Sequence, residues 1–167
     1  AVTYAIDKTA TGSAQAIGPV GSAIASFQRL GTDEKLGLLW SVYENMGRAI
    51  TPAAPGAARM QFAEGLLQQV REMNPQAQLQ FMRQLVDKVN TAETRAYGVL
   101  SNNTKLAFWY QLAEWMANGI VIPVPEYYQL SGTALEVFGQ LSALDFGQQI
   151  TVLRQIVIDM GVDPLAR

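Results

Sequence analysis

The stretch from Lys105 to Met116, KLAFWYQLAEWM, restricts the fold more than any other part of the chain. It holds two of the three tryptophans. At 100° per residue on a helix, Leu106, Trp109, Tyr110, Ala113 and Met116 fall on one side. Phe108, Leu112 and Trp115 fall on the other, and Gln111, Glu114 and Asn118 leave only a narrow polar stripe for water. A helix that is apolar on two faces has to be covered on two faces. One covering is other helices. The second is either another helix or a molecule that is not protein.

Gly, Pro, Asn and Asp cut the rest of the chain into helical segments. The pattern predicts a first helix from Pro19 to Leu30. A second opens with Thr32 as N-cap and acids in its first turn, and runs to Ile50. The stretch TPAAPGAA breaks it. Ala57 to Met73 follows. Asn74 then caps a helix with Pro75 at its first position, ending near Lys88. A short helix covers Thr91 to Leu100. The tryptophan-rich helix starts after Asn102 and Asn103 and stops at Gly119, which reads as a left-handed cap. Alternate prolines in IVIPVPEYYQLSG forbid a helix and favour an extended linker. Two further helices span Gly132–Leu144 and Phe146–Met160, with Asp145 as N-cap and Gly161 as stop. No run alternates like a strand, and Pro123 and Pro125 interrupt the β-branched residues near 120–124. The expected class is all-α, with about eight helices in two packed bundles and the proline-rich stretch between them. Residues 1–18 read as an N-terminal arm and 19–167 as one helical domain with two subdomains.

Composition narrows the function. Twelve basic and fourteen acidic residues are interspersed, with a net charge of −2 and no basic stripe, which speaks against a nucleic-acid partner. No stretch approaches the length of a membrane span, and the N-terminus does not read as a signal peptide. The absence of Cys removes disulfides, thiol nucleophiles and thiolate metal sites. The absence of His removes the commonest general base and metal ligand, and with it Ser-His-Asp catalysis and the usual zinc sites. Neither G-x-x-x-x-G-K-[ST] nor G-x-G-x-x-G occurs. An enzyme is a poor reading of this inventory.

A second segment copies the tryptophan-rich one. In KLGLLWSVYENMGRAI, Leu36, Leu39, Trp40, Tyr43, Gly47 and Ile50 share a face. Each of the two faces carries a Trp and a Tyr within one turn, then small residues further on. Large flat groups beside missing side chains make a slot. Helices of this length span roughly 24–28 Å, about the length of a forty-carbon polyene. Indole and phenol rings offer such a guest wide apolar contact, and each has a polar hydrogen that can meet a keto or hydroxyl end group. Plain core packing is the commoner fate of such rings, and an exposed patch for a partner protein is the next. Met46, Met60, Met82 and Met116 suit a slot lining or a core equally. Ile150, Leu153, Arg154 and Val157 also share a face, so a guanidinium interrupts an apolar stripe. Such an Arg either snorkels or pairs with a neighbouring Glu, or it stands at a cavity mouth or on a docking surface.

Three stretches, LLWSVYENMGRAITPAAPGAARMQFAE, KLAFWYQLAEWMANGIVIPVPEYYQLS and FGQQITVLRQIVIDMG, resemble the N-terminal domain of the cyanobacterial orange carotenoid proteins. The similarity runs from about Pro19 to Gly161, and the matching stretches are long and gap-free. It implies two interleaved, discontinuous four-helix bundles that clasp one keto-carotenoid non-covalently in a tunnel. Canthaxanthin, echinenone and 3'-hydroxyechinenone are the pigments of this type. By matching position, the tunnel set implied is Leu36, Leu39, Trp40, Tyr43, Met60, Met82, Leu106, Trp109, Tyr110, Ala113, Met116, Val124, Pro125, Tyr128, Ile150 and Arg154. Trp40 and Trp109 would flank a terminal ring, with Tyr43 and Tyr110 stacked near it. Arg154 matches an arginine that faces the C-terminal domain in full-length members and docks on the phycobilisome. Members also hold a chloride, and no residues here mark a site for it.

The sequence ends at VDPLAR, where the linker and light-sensing domain of full-length members begin. The expectation is a stand-alone helical carotenoid protein or an isolated N-terminal domain, without photoswitching of its own. The implied function is that of a soluble carotenoid-binding photoprotective protein, not an enzyme. It would quench singlet oxygen or excess excitation energy in the cytoplasm, or beside phycobilisomes at the thylakoid surface. Two alternatives stand beside it: an antenna effector that docks on the phycobilisome, and a carrier that hands its carotenoid to a C-terminal-domain-like homologue. Arg48, Arg59 and Arg154 are the candidate docking residues.

Overall fold

Helix α1 runs from Thr11 to Gln28 and bends at Gly18, whose φ of 14° and ψ of −173° are not helical. The bend has a local cause. Pro19 supplies no N–H and pushes the residue before it out of the helical region. Beyond the bend a helical stretch starts at Pro19, as the sequence predicts, and the backbone before it is helical from Thr11. In this computed structural model the described residues are 11–46, 60–125 and 127–165, and for 11–17 and Met60 only the backbone is described.

Helix α2 spans Thr32–Met46. Its cap is Gly31 and not the expected Thr32. The Gly31 carbonyl accepts from the Lys35 N–H at 2.9 Å, and Glu34 reaches back to accept from the Gly31 N–H at 2.9 Å. Thr32 instead donates its hydroxyl to Asp87 at 2.7 Å, tying two helices together. The expected continuation to Ile50, the break after it and a helical start at Ala57 lie outside the described residues. A short 3-10 turn at Met60–Phe62 leads into α3, Glu64–Glu72.

The remaining boundaries follow local chemistry closely. Helix α4, Pro75–Asp87, is capped by the Asn74 side chain, which accepts from the Ala77 N–H at 2.8 Å, and it ends on a left-handed Lys88. Helix α5, Ala92–Gly98, opens with a reciprocal cap between Thr91 and Thr94. Ser101 caps α6, Asn102–Ala117, and Gly119 turns the chain out of it with φ 78°. Ser131 caps α7, Gly132–Ser142. Asp145 and Gln148 cap α8, Phe146–Ile158, reciprocally, and Gly161 stops the chain beyond it with φ 76°. No strand occurs among the described residues.

The helices fall into two interleaved groups. The first two and last two helices pack together, with α1 on α7 and α8, and α2 on α7. Between them in sequence lie α3, α4 and α5, which pack on one another. Helix α6 joins this second group through its rings. Phe108 meets Phe81 of α4 edge-on at 6.4 Å and Tyr97 of α5 at 5.4 Å. Such edge contacts add about 0.5–1.5 kcal/mol beyond area burial. The groups join where α6 packs on α8 and α2 packs on α4 and α6. The two-sided apolarity of α6 is thus met by α4 and α5 on one side, and by α2 and α8 elsewhere. No helix among the described residues is long and apolar enough to cross a membrane.

Candidate functional site

Where α2 crosses α4 and α6, the walls do not close. A cavity of about 290 Å³ lies between them, roofed by the proline-rich segment. Helix α2 contributes Leu36, Gly37, Leu39, Trp40 and Tyr43, one turn apart along one face. Helix α4 contributes Leu79, Met82 and Arg83, and α6 contributes Trp109, Ala113 and Met116. Ile122, Pro123, Val124, Pro125 and Tyr128 form the roof, and Asp33 sits at the edge. A second hollow of about 230 Å³ adjoins it, lined by Trp40, Tyr43, Glu44, Tyr110, Ala113, Glu114 and Ala117. Trp40, Tyr43 and Ala113 are common to both. The small side chain of Ala113 leaves the space between the rings open.

The polar hydrogens of the ring walls are disposed unequally. Trp109 is buried, and its indole N–H donates to Tyr97 Oη at 3.1 Å, away from the cavity. Tyr43 is buried as well and donates to the Leu106 carbonyl at 2.8 Å. The expectation that these rings offer a hydrogen to a guest is therefore corrected: both hydrogens are held inside the protein. Burial pushes the Tyr43 and Tyr97 phenols well above their ordinary range, so both stay neutral. Trp40 is half-buried, and neither its indole nor the Tyr128 hydroxyl has a hydrogen bond among the described residues. Desolvation, reinforced by the charges of Asp33 and Glu34, raises the Tyr128 phenol.

Charged residues fasten the edge. Arg83 grips Asp33 with two hydrogen bonds, Nε to Oδ1 at 2.9 Å and a second nitrogen to Oδ2 at 3.0 Å. The hydrogen bond from Arg83 holds the Asp33 carboxyl below its usual range. Glu34 accepts from the Ser131 hydroxyl, which lowers its carboxyl and links the start of α2 to the cap of α7. Gly37 allows the closest approach. A Cβ placed there would fall 2.7 Å from Tyr128 Cζ and Cε2, and nearer still to its hydroxyl. Only a residue without a side chain lets that ring lie on the α2 backbone.

Of the residues implied by the resemblance, Leu36, Leu39, Trp40, Tyr43, Met82, Trp109, Ala113, Met116, Val124, Pro125 and Tyr128 border the larger cavity. Tyr110 borders the adjoining hollow. Three others border neither. Leu106 and Ile150 pack partly buried against the core, and Arg154 is half-buried on α8. The side chain of Met60, and all of Arg48 and Arg59, lie outside the described residues. Sequence reading missed Gly37, Leu79, Ile122, Pro123, Asp33 and Arg83. Leu79 is one turn before Met82 on the same face, and Ile122 alternates with Val124, so periodicity could have found both. No local signal pairs Asp33 with Arg83, or Gly37 with Tyr128. Among the described residues no cluster of Asp and Glu could hold a metal ion.

Two interleaved helix groups around an aromatic-walled apolar cavity make a helical domain of the kind that leaves room for a ligand, not a self-filled bundle. The family model described as orange carotenoid protein, N-terminal, matches residues 13–163, and the chain belongs to that family. An orange carotenoid-binding domain-containing protein of Nostoc sp. strain PCC 7120 is 55% identical over 170 residues, covering 99% of both chains. The orange carotenoid-binding protein of Limnospira maxima is 47% identical over 144 residues, which is 86% of this chain and 45% of that protein. The chain therefore spans under half of that longer relative. The fold matches the Anabaena (Nostoc) sp. PCC 7120 orange carotenoid protein binding canthaxanthin with a TM-score of 0.80 at 45% identity, over 93% of this chain and 53% of that one. It matches the red carotenoid protein of the same organism, also binding canthaxanthin, with a TM-score of 0.75 at 39% identity, over 85% of this chain and 97% of that one.

Proposed function

We propose that this chain binds one keto-carotenoid non-covalently between α2 and α6 and acts in photoprotection. The observation that carries this reading is the apolar slot walled by Trp40, Tyr43 and Trp109, with a second hollow adjoining it across Trp40, Tyr43 and Ala113. The likeness to two proteins that bind canthaxanthin supports the pigment class. A bound polyene would supply low-lying excited states that drain the energy of singlet oxygen or of excess excitation as heat. The protein's part is to dissolve, orient and shield it. Trp109 and Tyr43 would do this with ring faces alone, because their hydrogens are held elsewhere. Trp40 and Tyr128 keep a polar hydrogen for an oxygenated end group. Met60, Leu106, Ile150 and Arg154 enter the proposed set by matching position only. Removing about 400 Å² of polyene from water is worth on the order of 10 kcal/mol before ordering costs. That leaves room for sub-micromolar binding.

The test is the visible spectrum, with pigment extraction, of the protein purified from a carotenoid-producing host. A protein-bound visible band with about one pigment per chain is expected. Colourless protein from a host that makes keto-carotenoids would sink the reading. One observation favours a second role, docking on the phycobilisome. Arg154 is half-buried on α8 and has no ion pair among the described residues, which suits a charge offered to a partner. Adding the pigmented protein to isolated phycobilisomes should then lower their fluorescence, and Arg154→Ala should abolish the effect. Unchanged fluorescence with the parent protein would remove that role.

A further inference from the structure

The hydrogen bond made by Trp109 leads out of the cavity and into the core. Its indole N–H donates to Tyr97 Oη at 3.1 Å, and Tyr97 donates in turn to the Val157 carbonyl, in the last turn of α8, at 2.6 Å. Tyr97 is fully buried and borders neither hollow. Its ring is hemmed in on several sides. Phe108 stands edge-on at 5.4 Å, and Lys105 Nζ lies 5.4 Å from the ring centroid. Gly161 closes over it so tightly that a Cβ there would fall 2.6 Å from Tyr97 Cδ1. The turn containing Gly161 is itself pinned. The Gly161 N–H donates to the Leu85 carbonyl at 2.9 Å, and the Val162 N–H donates to the Thr94 carbonyl at 3.2 Å. One side chain thus joins the cavity wall on α6 to the end of α8 through its hydroxyl, and packs its ring against the turn that leaves α8.

We propose that Tyr97 is a positioning residue that sets the plane of the Trp109 ring against the cavity and ties that ring to the C-terminal turn of α8. The proposal deepens the reading of the cavity as a carotenoid slot and rests on it. Apolar contacts fix where an indole lies but set its rotation only weakly, because the hydrophobic effect has no direction. A hydrogen bond does have direction. With Tyr97 Oη in place, the indole has one orientation that satisfies its N–H. Without it, the buried Trp109 N–H loses its partner, the Val157 carbonyl keeps only the Met160 N–H at 3.4 Å, and no directional contact is left to hold the rotation of the indole. A pigment lying against that ring would register that rotation as a change of band position or width.

Tyr97→Phe tests this, because it keeps the ring and its packing and removes only the hydroxyl. Two readouts are needed. The first is exchange of the Trp109 indole N–H with deuterated solvent, followed by NMR in the chain as purified. Exchange should be slow in the parent and about tenfold faster in Tyr97→Phe, the effect of one ordinary buried hydrogen bond. The second is the visible band of the pigmented protein, which should shift or broaden in Tyr97→Phe. Trp109→Phe removes the donor, and adding Tyr97→Phe to it should move the band no further. Unchanged exchange in Tyr97→Phe, or an equal band change in both backgrounds, overturns the proposal. If Tyr97→Phe does not fold, the parent decides: an indole N–H exchanging as fast as an exposed tryptophan overturns it, and strong protection supports it. Colourless parent protein defeats the carotenoid reading alone, since the exchange measurement still judges Tyr97.

Discussion

Trp40 and Trp109 occupy similar positions on two neighbouring helices that border one cavity, yet they are held differently. Trp109 is buried, meets Phe108 edge-on at 6.5 Å, and has its N–H tied to Tyr97. Trp40 is half-buried, borders both hollows, and has no hydrogen bond among the described residues. One ring is part of the core and lends a face to the slot. The other belongs to the slot first. The same residue type in the same pattern therefore serves the core on α6 and lines the cavity on α2, where the proposed guest would lie. The two indoles are unequally held, since a directional bond fixes Trp109 and packing alone holds Trp40, although Tyr43 beside it on α2 is bonded to the Leu106 carbonyl.

Truncating each ring in turn is the strongest way to break this contrast. Trp109→Ala should cost about 3–5 kcal/mol, through the void it leaves and the hydrogen bond it removes. Urea unfolding measures that loss, and the protein should be hard to obtain folded. Trp40→Ala should cost only about 1–2 kcal/mol, because a half-buried ring has less to lose. Its effect should appear in the ratio of pigment to protein, which should fall severalfold in material that is still helical by circular dichroism. Equal losses of stability in the two variants would show that both rings are core and would remove the distinction.

The unequal roles also explain what could be read from the chain beforehand. Helix limits that depend on a side chain bonding its own backbone were legible: Asn74 with Pro75, Asp145, Gly119 and Gly161 all act within a few residues of themselves. The two aromatic faces were legible because helical periodicity is local too. Thr32 was misread because its hydroxyl found a partner on α4, which a cap rule cannot see. The same holds for Asp33 with Arg83, for Gly37 with Tyr128, and for Tyr97 with both Trp109 and Val157. Each of those pairs is made only when distant segments meet. Periodicity marks which rings could make a slot, and tertiary packing decides which of their hydrogens are bonded inside the protein.

Gly37→Ala sharpens the contrast from the slot's side. Alanine favours the helix by up to about 1 kcal/mol, but its methyl occupies the place of the Tyr128 ring tip. Tyr128 is 36% exposed and on the roof segment, so the ring can swing outward at modest cost. The expected change in unfolding free energy is within about 1 kcal/mol of zero, since the two effects oppose each other. The slot should lose its cover, and pigment should leave to detergent micelles several times faster. Adding Tyr128→Ala to Gly37→Ala should change that rate no further. A destabilisation of 2 kcal/mol or more, on the order of a core substitution, would show that the roof is locked as firmly as the Trp109 side.

The smallest effect distinguishes the two walls by the kind of force that holds them. Asp33 and Arg83 join α2 to α4 at the cavity edge, with side chains 63% and 41% exposed. A pair so exposed contributes about 0.5 kcal/mol or less, and salt screens it. The Asp33 carboxyl titrates lower in the folded chain than its ordinary value of 3.8. Its contribution is therefore complete above the unfolded value and is lost as pH falls through the lower folded one. Asp33→Asn should reduce stability slightly at neutral pH and low salt, with the difference shrinking as pH falls below 3.8 and in about 1 M NaCl. The Tyr97–Trp109 bond is neutral and buried, so the loss in Tyr97→Phe should be unchanged by salt and flat across that same pH range. If the Asp33→Asn difference also ignores salt and acid, the edge is held by shape and not by charge, and the two walls are alike after all.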